Sequence, residues 1–142
     1  MKYTMAKVPD TFAIMHGLLG VVKSEFESAG QLSPELLRSL HMLHGQTLVS
    51  ALDLIDSKKV TIVTSNSGRW VYQVTGSAGT PYVCLPDSIF CQCPAFKFSV
   101  LKKKDSVMCK HVLAAILATA MGVTDKKTIS DEYMMDLLFH MD

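Results

Sequence analysis

Three cysteines and one histidine stand in two close pairs, Cys91 with Cys93 and Cys109 with His111. Side chains two residues apart on an extended strand point to the same side, so the first pair can face one atom. Residues two apart within a helix point about 200° away from each other, because a helical turn takes about 3.6 residues. We therefore expect Cys109 in the turn before a helix and His111 in its first turn, where both can face one ion.

Three thiolates and one imidazole are the ligands of a closed, tetrahedral, structural zinc site. The amides at the start of the helix would stabilise the charge of the Cys109 thiolate. Because the four residues leave no open coordination position, one zinc ion is expected to hold the fold together rather than to activate water.

Three other interpretations of these residues stay open. The cysteines could be buried separately as small core residues, or they could hold an iron–sulfur cluster, for which other spacings are usual. The third interpretation is a thiol enzyme in which His111 activates Cys109. For that role, neighbours at i and i+2 are poorly placed, and the sequence offers no evident acid to orient the histidine.

Lysines surround the two pairs and form a local basic patch. They are Lys97, Lys102, Lys103, Lys104 and Lys110. These lysines could balance the negative charge of a zinc ion with three thiolates, or they could contact phosphate as a direct single-stranded DNA-binding module. Phe96 and Phe98 would then stack on bases, whereas the simpler interpretation places the phenylalanines in the core and the lysines on a solvated loop.

Two further groups of candidate residues lie outside the pairs. Cys84 falls on a predicted strand without a partner, and it is either a core residue or a metal or redox residue. His41 and His44 share a predicted helix at i and i+3, where they could bind a metal or serve as ordinary surface or core residues.

The first part of the chain, before the two ligand pairs, has the spacing of apolar residues that is typical of helices. Apolar residues recur at helical spacing from Val8 to Gly30. Ser33 and Pro34 predict the start of a second helix that ends near Gly45, and a third helix covers residues 46–56.

The period then changes to that of strands. The stretches KVTIVTS, RWVYQVT and TPYVCL alternate and are separated by turn residues, and a short strand IFCQC follows. This pattern predicts an antiparallel β-meander of three to four strands. Beyond it we expect a short helix from Pro94, an apolar helix over residues 109–121, the separator TDKK, and a last helix capped by Ser130 or Asp131.

The predicted fold class is therefore α+β: N-terminal helices, the β-meander, a zinc-stapled finger leading into a buried helix, and a C-terminal helix. We divide the chain into an N-terminal helical region (1–57), a metal-binding unit of meander and helix (58–122), and a C-terminal helix expected to bind a partner (123–142).

Bulk properties set limits on the function. A chain of 142 residues with 49% apolar residues is expected to form one domain. Its net charge of +1 creates no general basic field, so nucleic-acid binding would depend on a local patch. No apolar signal segment appears near the start and the longest apolar run, Val112–Val123, is too short for a membrane span, so we expect an intracellular protein with reduced thiols. The sequence contains no GxxxxGK[ST] nucleotide-binding motif.

The pattern C-x-C, a spacer and C-x-H-x-x-A resembles the SWIM zinc finger. It is formed here by Cys91, Cys93, Cys109, His111 and Ala114. The resemblance implies that the first four bind the metal and that Ala114, one turn beyond His111, supports them by permitting close packing beneath the ion.

Longer stretches, among them SGRWVYQVTGSAGTPYVCL and CPAFKFSVLKKKDSVMCKHVLA, resemble the small SWIM subunits of Shu complexes. This resemblance implies a nuclear, non-catalytic subunit that pairs as a heterodimer with an ATPase-like recombinase paralogue. The pair would support recombinase filaments on single-stranded DNA in homologous recombination repair. Three apolar helical stretches, 12–22, 112–121 and 133–139, also exceed what one small core needs, which independently suggests a protein partner.

Overall fold

The structure is a computed structural model that describes residues 11–103 and 107–139. Three helices come first: α1 (Thr11–Ala29), α2 (Pro34–His44) and α3 (Gln46–Asp56). Three strands follow: β1 (Val60–Ser65), β2 (Trp70–Thr75) and β3 (Pro81–Cys84). A π-helix (Phe96–Lys102), helix α4 (Lys110–Met121), strand β4 (Asp125–Ile129) and helix α5 (Asp131–Phe139) complete the fold. The predicted α+β class is confirmed.

The boundaries of α2 follow from its end residues. Ser33 caps the helix by accepting a hydrogen bond from the N–H of Leu36 at 3.1 Å, and Pro34 occupies the first turn. The carboxylate of Glu25 in α1 accepts hydrogen bonds from the N–H and the hydroxyl of Ser33, which joins α1 to the start of α2. Gly45, with φ of 59°, ends the helix as predicted. The predicted beginning of α1 at Val8 lies outside the described residues.

The sheet has the order β3-β2-β1-β4. Strands β1, β2 and β3 form the predicted antiparallel meander, whereas β4 pairs parallel to β1. The fourth strand of the sheet is therefore residues 125–129, not IFCQC, which keeps a single antiparallel bridge between Cys91 and Cys84. The sequence TDKK was expected only to separate two helices. The strand is not evident from the sequence because its residues are charged and exposed. Such residues are usual on an edge strand, which has one unpaired side and commonly carries lysine.

Helix α4 lies at the centre of the main core, between α1 and α3 on one side and the sheet on the other. All but one of the eight residues from 111 to 118 are buried. This helix therefore does not supply the surplus that was expected of the three apolar stretches together, because the main core uses nearly all of its apolar residues from 111 to 118.

A smaller core lies on the opposite face of the sheet. Val63, Val71 and Val83 point away from α4 and contact Met134 of α5. Ser130 caps α5 by accepting a hydrogen bond from the N–H of Tyr133 at 3.1 Å. None of the helices in ranges 11–103 and 107–139 is long and apolar enough to cross a membrane.

Candidate metal centre

The fold brings Cys91, Cys93, Cys109 and His111 together. Their ligand atoms all lie within 4.8 Å of one another, and all four residues are buried. Zinc–sulfur bonds of about 2.3 Å in a tetrahedron separate the sulfurs by about 3.8 Å, which these distances allow. This is the one group of three or more cysteine, histidine or acidic residues with metal-site geometry in the described part of the chain.

The first pair is held against the edge strand β3. Beside Cys91, the N–H of Gln92 donates to the carbonyl oxygen of Val83 at 3.2 Å. The side-chain oxygen of Gln92 accepts from the N–H of Val83 at 2.9 Å. Gln92 thus bonds to both polar backbone groups of one strand residue, and this fixes Cys91 and Cys93 on either side of it.

The second pair has the predicted arrangement at the start of α4. Cys109 is the N-cap with extended backbone (φ −76°, ψ 166°), and its Sγ accepts a hydrogen bond from the N–H of Val112 at 3.5 Å. His111 lies in the first turn, so both side chains reach the same point. Ala114, the predicted supporting residue, is fully buried one turn further along.

The ring of His111 is buried without a hydrogen-bonding partner. Neither Nδ1 nor Nε2 makes a hydrogen bond to the described residues. The ring of Tyr82 lies 4.7 Å from it, centroid to centroid. A buried polar atom without a partner is costly, and a bound metal ion would satisfy one of these nitrogens. The residues therefore fit the zinc ion that their types suggest.

The thiols also interact with one another. The pKa of Cys93 lies well below its usual range, because side-chain hydrogen bonds with Cys109 and Cys91 favour its thiolate. The pKa of Cys109 is raised by its hydrogen bonds with Cys91 and Cys93 and by burial. One thiolate thus forms readily at this site, whereas three thiolates need a cation to offset their charge.

The lysine patch is only partly assembled around the site. Lys97, Lys102 and Lys103 are exposed, and Lys104 lies outside the described residues. Lys110 is half-buried, and its Nζ donates to the hydroxyl of Ser77 at 3.4 Å. The described lysines are therefore accessible to solvent, whereas the metal ligands are buried.

The two phenylalanines of the patch differ in position. Phe96 is 6% exposed and packs edge-on against Phe90, with ring centroids 5.2 Å apart. Phe98 is 56% exposed, and the Nζ of Lys103 lies 5.0 Å from its ring centroid. The interpretation that places both in the core is correct for Phe96 and wrong for Phe98, because the π-helix turns the latter outward.

His41 and His44 do not form a metal site within the described ranges. His41 is exposed, and Nε2 of the half-buried His44 lies 3.2 Å from Sδ of Met15. Cys84 is buried beside Cys91, outside the group of four.

Sequence reasoning missed Gln92, Gly76 and Tyr82, which also shape the site. Gln92 stands between two recognised ligands, and this position was its only signal. Gly76 and Tyr82 belong to a turn and a strand that are distant from His111 in the sequence. Their contact with His111 is therefore visible only in the folded structure.

Comparison with known proteins agrees with this geometry. The SWIM zinc finger family model matches residues 72–120. Zinc finger SWIM domain-containing protein 7 of Homo sapiens is 40% identical over 126 residues, which cover 89% of this chain and 90% of the human protein. The protein of the same name from Mus musculus is 42% identical over 88% of this chain and 82% of its own length. A homolog of it in Dictyostelium discoideum is 43% identical over 71% of this chain and 67% of its own length. No solved structure matches the chain.

Proposed function

Since the chain belongs to the family of zinc finger SWIM domain-containing protein 7 and is a zinc-binding SWIM protein, we propose that it is a non-catalytic adaptor subunit. In this proposal it pairs with an ATPase-like paralogue of the strand-exchange recombinase. The pair promotes or stabilises recombinase filaments on single-stranded DNA during homologous recombination repair in the nucleus.

The buried, closed arrangement of three cysteines and one histidine carries the proposal. Catalytic thiolates occupy partly exposed positions, whereas each of these side chains is at most 4% exposed. A four-ligand zinc site stabilises a fold and leaves no coordination position for a substrate. With no nucleotide-binding motif in the sequence, ATP chemistry would come from the partner.

The outer side of α5 is the surface that best fits a protein partner. Met135 and Phe139, four residues apart and therefore on the same side of the helix, are 57% and 81% exposed, whereas Met134 is buried against the sheet. Large apolar side chains clustered on an exposed helix face are typical of protein interfaces. This face agrees with the prediction that the C-terminal segment binds the partner.

Co-expression with the ATPase-like paralogue tests the adaptor role. We expect a stable, zinc-containing heterodimer that survives size-exclusion chromatography. Met135→Lys on the outer face of α5 should break the heterodimer without loss of zinc, and Glu132→Lys, also exposed on α5, serves as its control. Cys93→Ser should lose zinc and the partner together. A heterodimer that forms without zinc, or no heterodimer with the zinc-loaded wild type, would refute the proposal.

Direct binding of single-stranded DNA is the second candidate function. It is favoured by the exposed ring of Phe98 beside Lys103, because an aromatic face and a cation together bind bases and phosphates. A salt titration with labelled single-stranded DNA tests it on the isolated subunit. We expect binding that weakens as salt rises and is reduced in Phe98→Ala. No measurable affinity at low salt would exclude this function for the subunit alone.

Nuclear localisation is part of the proposal and has its own test. A fluorescent fusion expressed from the native locus should accumulate in the nucleus. Exclusion of the fusion from the nucleus would contradict a role in recombination.

A further inference from the structure

Cys84 is a buried thiol that the metal site does not use. It lies opposite Cys91, its partner in the single antiparallel bridge that holds the first ligand pair against β3. Both residues are at most 1% exposed, and both belong to the main core cluster. A cysteine that is not a ligand thus contacts one that is.

The backbone at this bridge has a geometry that suits a disulfide. Two hydrogen bonds flank the bridge, one on each side: from the N–H of Leu85 to the carbonyl of Phe90 at 3.3 Å, and from the N–H of Gln92 to the carbonyl of Val83 at 3.2 Å. Cys84 and Cys91 are therefore a non-hydrogen-bonded pair, for which Cα atoms stand about 4.5 Å apart and side chains approach closely. Disulfides span Cα distances of about 4.4–6.8 Å.

A cavity leads to Cys84 from the surface. It lies between α1, α4 and the segment that follows β3, has a volume of about 570 Å³, and is lined by Cys84 together with Leu19 and Ile116. A small oxidant can approach Cys84 through it, whereas burial protects the pair from large reagents.

We propose that Cys84 and Cys91 form a site of oxidative modification, where a hydroperoxide joins them in a disulfide and thereby removes Cys91 from the zinc ion. The sulfur of Cys84 attacks the hydroperoxide: a sulfur–oxygen bond forms, the oxygen–oxygen bond breaks, and the leaving oxygen takes the thiol proton of Cys84 and departs as alcohol or water. The thiolate of Cys91 then attacks the Cys84 sulfur: the disulfide forms, the sulfur–oxygen bond breaks, and the displaced hydroxide takes up a proton from solvent as water. The two sulfurs lose two electrons, and the hydroperoxide gains them.

Loss of one thiolate weakens the hold on zinc. Three of the four ligands remain, namely Cys93, Cys109 and His111, and a disulfide sulfur is a poor replacement for a thiolate. Because zinc binding is coupled to folding, oxidation at this bridge would loosen the start of α4, and a dithiol reductant with added zinc would restore it.

The test uses the zinc-loaded full-length protein and hydrogen peroxide. Zinc release is followed with a chromogenic chelator, and the disulfide is located by mass spectrometry after alkylation of free thiols. We expect a linked Cys84–Cys91 peptide that rises together with released zinc, and both changes should reverse with dithiol and zinc.

Cys84→Ala is the matched variant, because Cys84 is not one of the four ligands. It should bind zinc in the wild-type ratio, form no linked peptide, and release zinc more slowly under peroxide. Cys84→Ser takes its place if the alanine variant does not retain zinc. Release at the wild-type rate from the variant, or a wild-type disulfide between two ligands such as Cys93 and Cys109, would overturn the proposal.

Discussion

Gly76 lies against the ring of His111 so closely that a Cβ atom on it would stand 3.4 Å from Nε2 of the histidine. The same Cβ would stand 3.1 Å from Cε2 of Tyr82, whose ring packs on His111. The turn between β2 and β3 thus comes close to a zinc ligand, and a Cβ atom at Gly76 would press on the Tyr82 ring that packs on His111.

Gly76→Ala should therefore weaken zinc binding. Overpacking at a buried site typically costs about 1–3 kcal/mol, and here the added methyl group acts on His111 through the Tyr82 ring. Zinc affinity measured by competition with a chelator, together with the melting temperature, checks this. Gly17→Ala is the control, because nothing lies within 4 Å of its Cβ position in the middle of α1, and it should stabilise the helix by up to about 1 kcal/mol. Equal effects of the two variants would contradict the contact.

Gln92→Ala should destabilise the metal centre although Gln92 is not a ligand. The substitution leaves the N–H of Val83, on a buried strand residue, without its 2.9 Å acceptor, which costs about 1–3 kcal/mol. Urea denaturation of the zinc-loaded protein measures the loss, and Gln31→Ala, exposed between α1 and α2, is the control. A loss no larger than that of the control would show that the amide does not hold the ligand pair.

Removal of zinc should unfold much of the protein. Structural zinc contributes about 10–16 kcal/mol in zinc-finger peptides, which is as large as the whole stability of a typical domain. We expect a strong chelator to abolish the protection of the Val112 and Leu113 amides from hydrogen exchange. His111→Ala should show the same low protection before chelation and no further change after it. Retained protection in the chelated wild type would argue against a structural role of the metal.

Phe96→Ala and Phe98→Ala should differ sharply in stability. Phe96 is buried against Phe90, and truncation of a buried phenylalanine costs about 3–5 kcal/mol. Phe98 is largely exposed, so its truncation should change stability by less than about 0.5 kcal/mol. Thermal or urea denaturation of the two variants compares them directly, and similar losses would mean that Phe98 is buried in solution.

His44 should make stability depend on pH. Burial lowers its pKa below 6.5, so the folded state disfavours the protonated ring. Its contribution is complete above the unfolded pKa of about 6.5 and is lost as the pH falls through the lower folded value. Denaturation at several pH values should show wild type losing stability relative to His44→Gln below about pH 6.5. A stability difference between the two proteins that does not change with pH would contradict the burial of the His44 ring.

Much of the site could be derived from residue types and spacing. Cys109 and His111, two residues apart, required a helix that begins between them, and α4 begins at Lys110. Ser33, Pro34 and Gly45 likewise predicted the limits of α2, because helix ends depend on local backbone chemistry.

Features that depend on distant partners were not accessible in this way. Strand β4 is charged and exposed, and only its parallel pairing with β1 makes it a strand. Phe96 and Phe98 have the same chemistry, and their opposite burial follows from the direction of the π-helix.

The sequence by itself determined the chemistry of this protein: four ligand residues in two pairs, the helix that presents the second pair, and the family to which they belong. Only the tertiary structure decided what surrounds those ligands. These features are the hydrogen bonds between Gln92 and Val83, the contact of Gly76 with His111, and the position of Cys84 beside Cys91. The reason is physical. Ligand identity and helix start are local properties of a few neighbouring residues, whereas each of these contacts joins different elements of the fold and exists only when the sheet packs on α4.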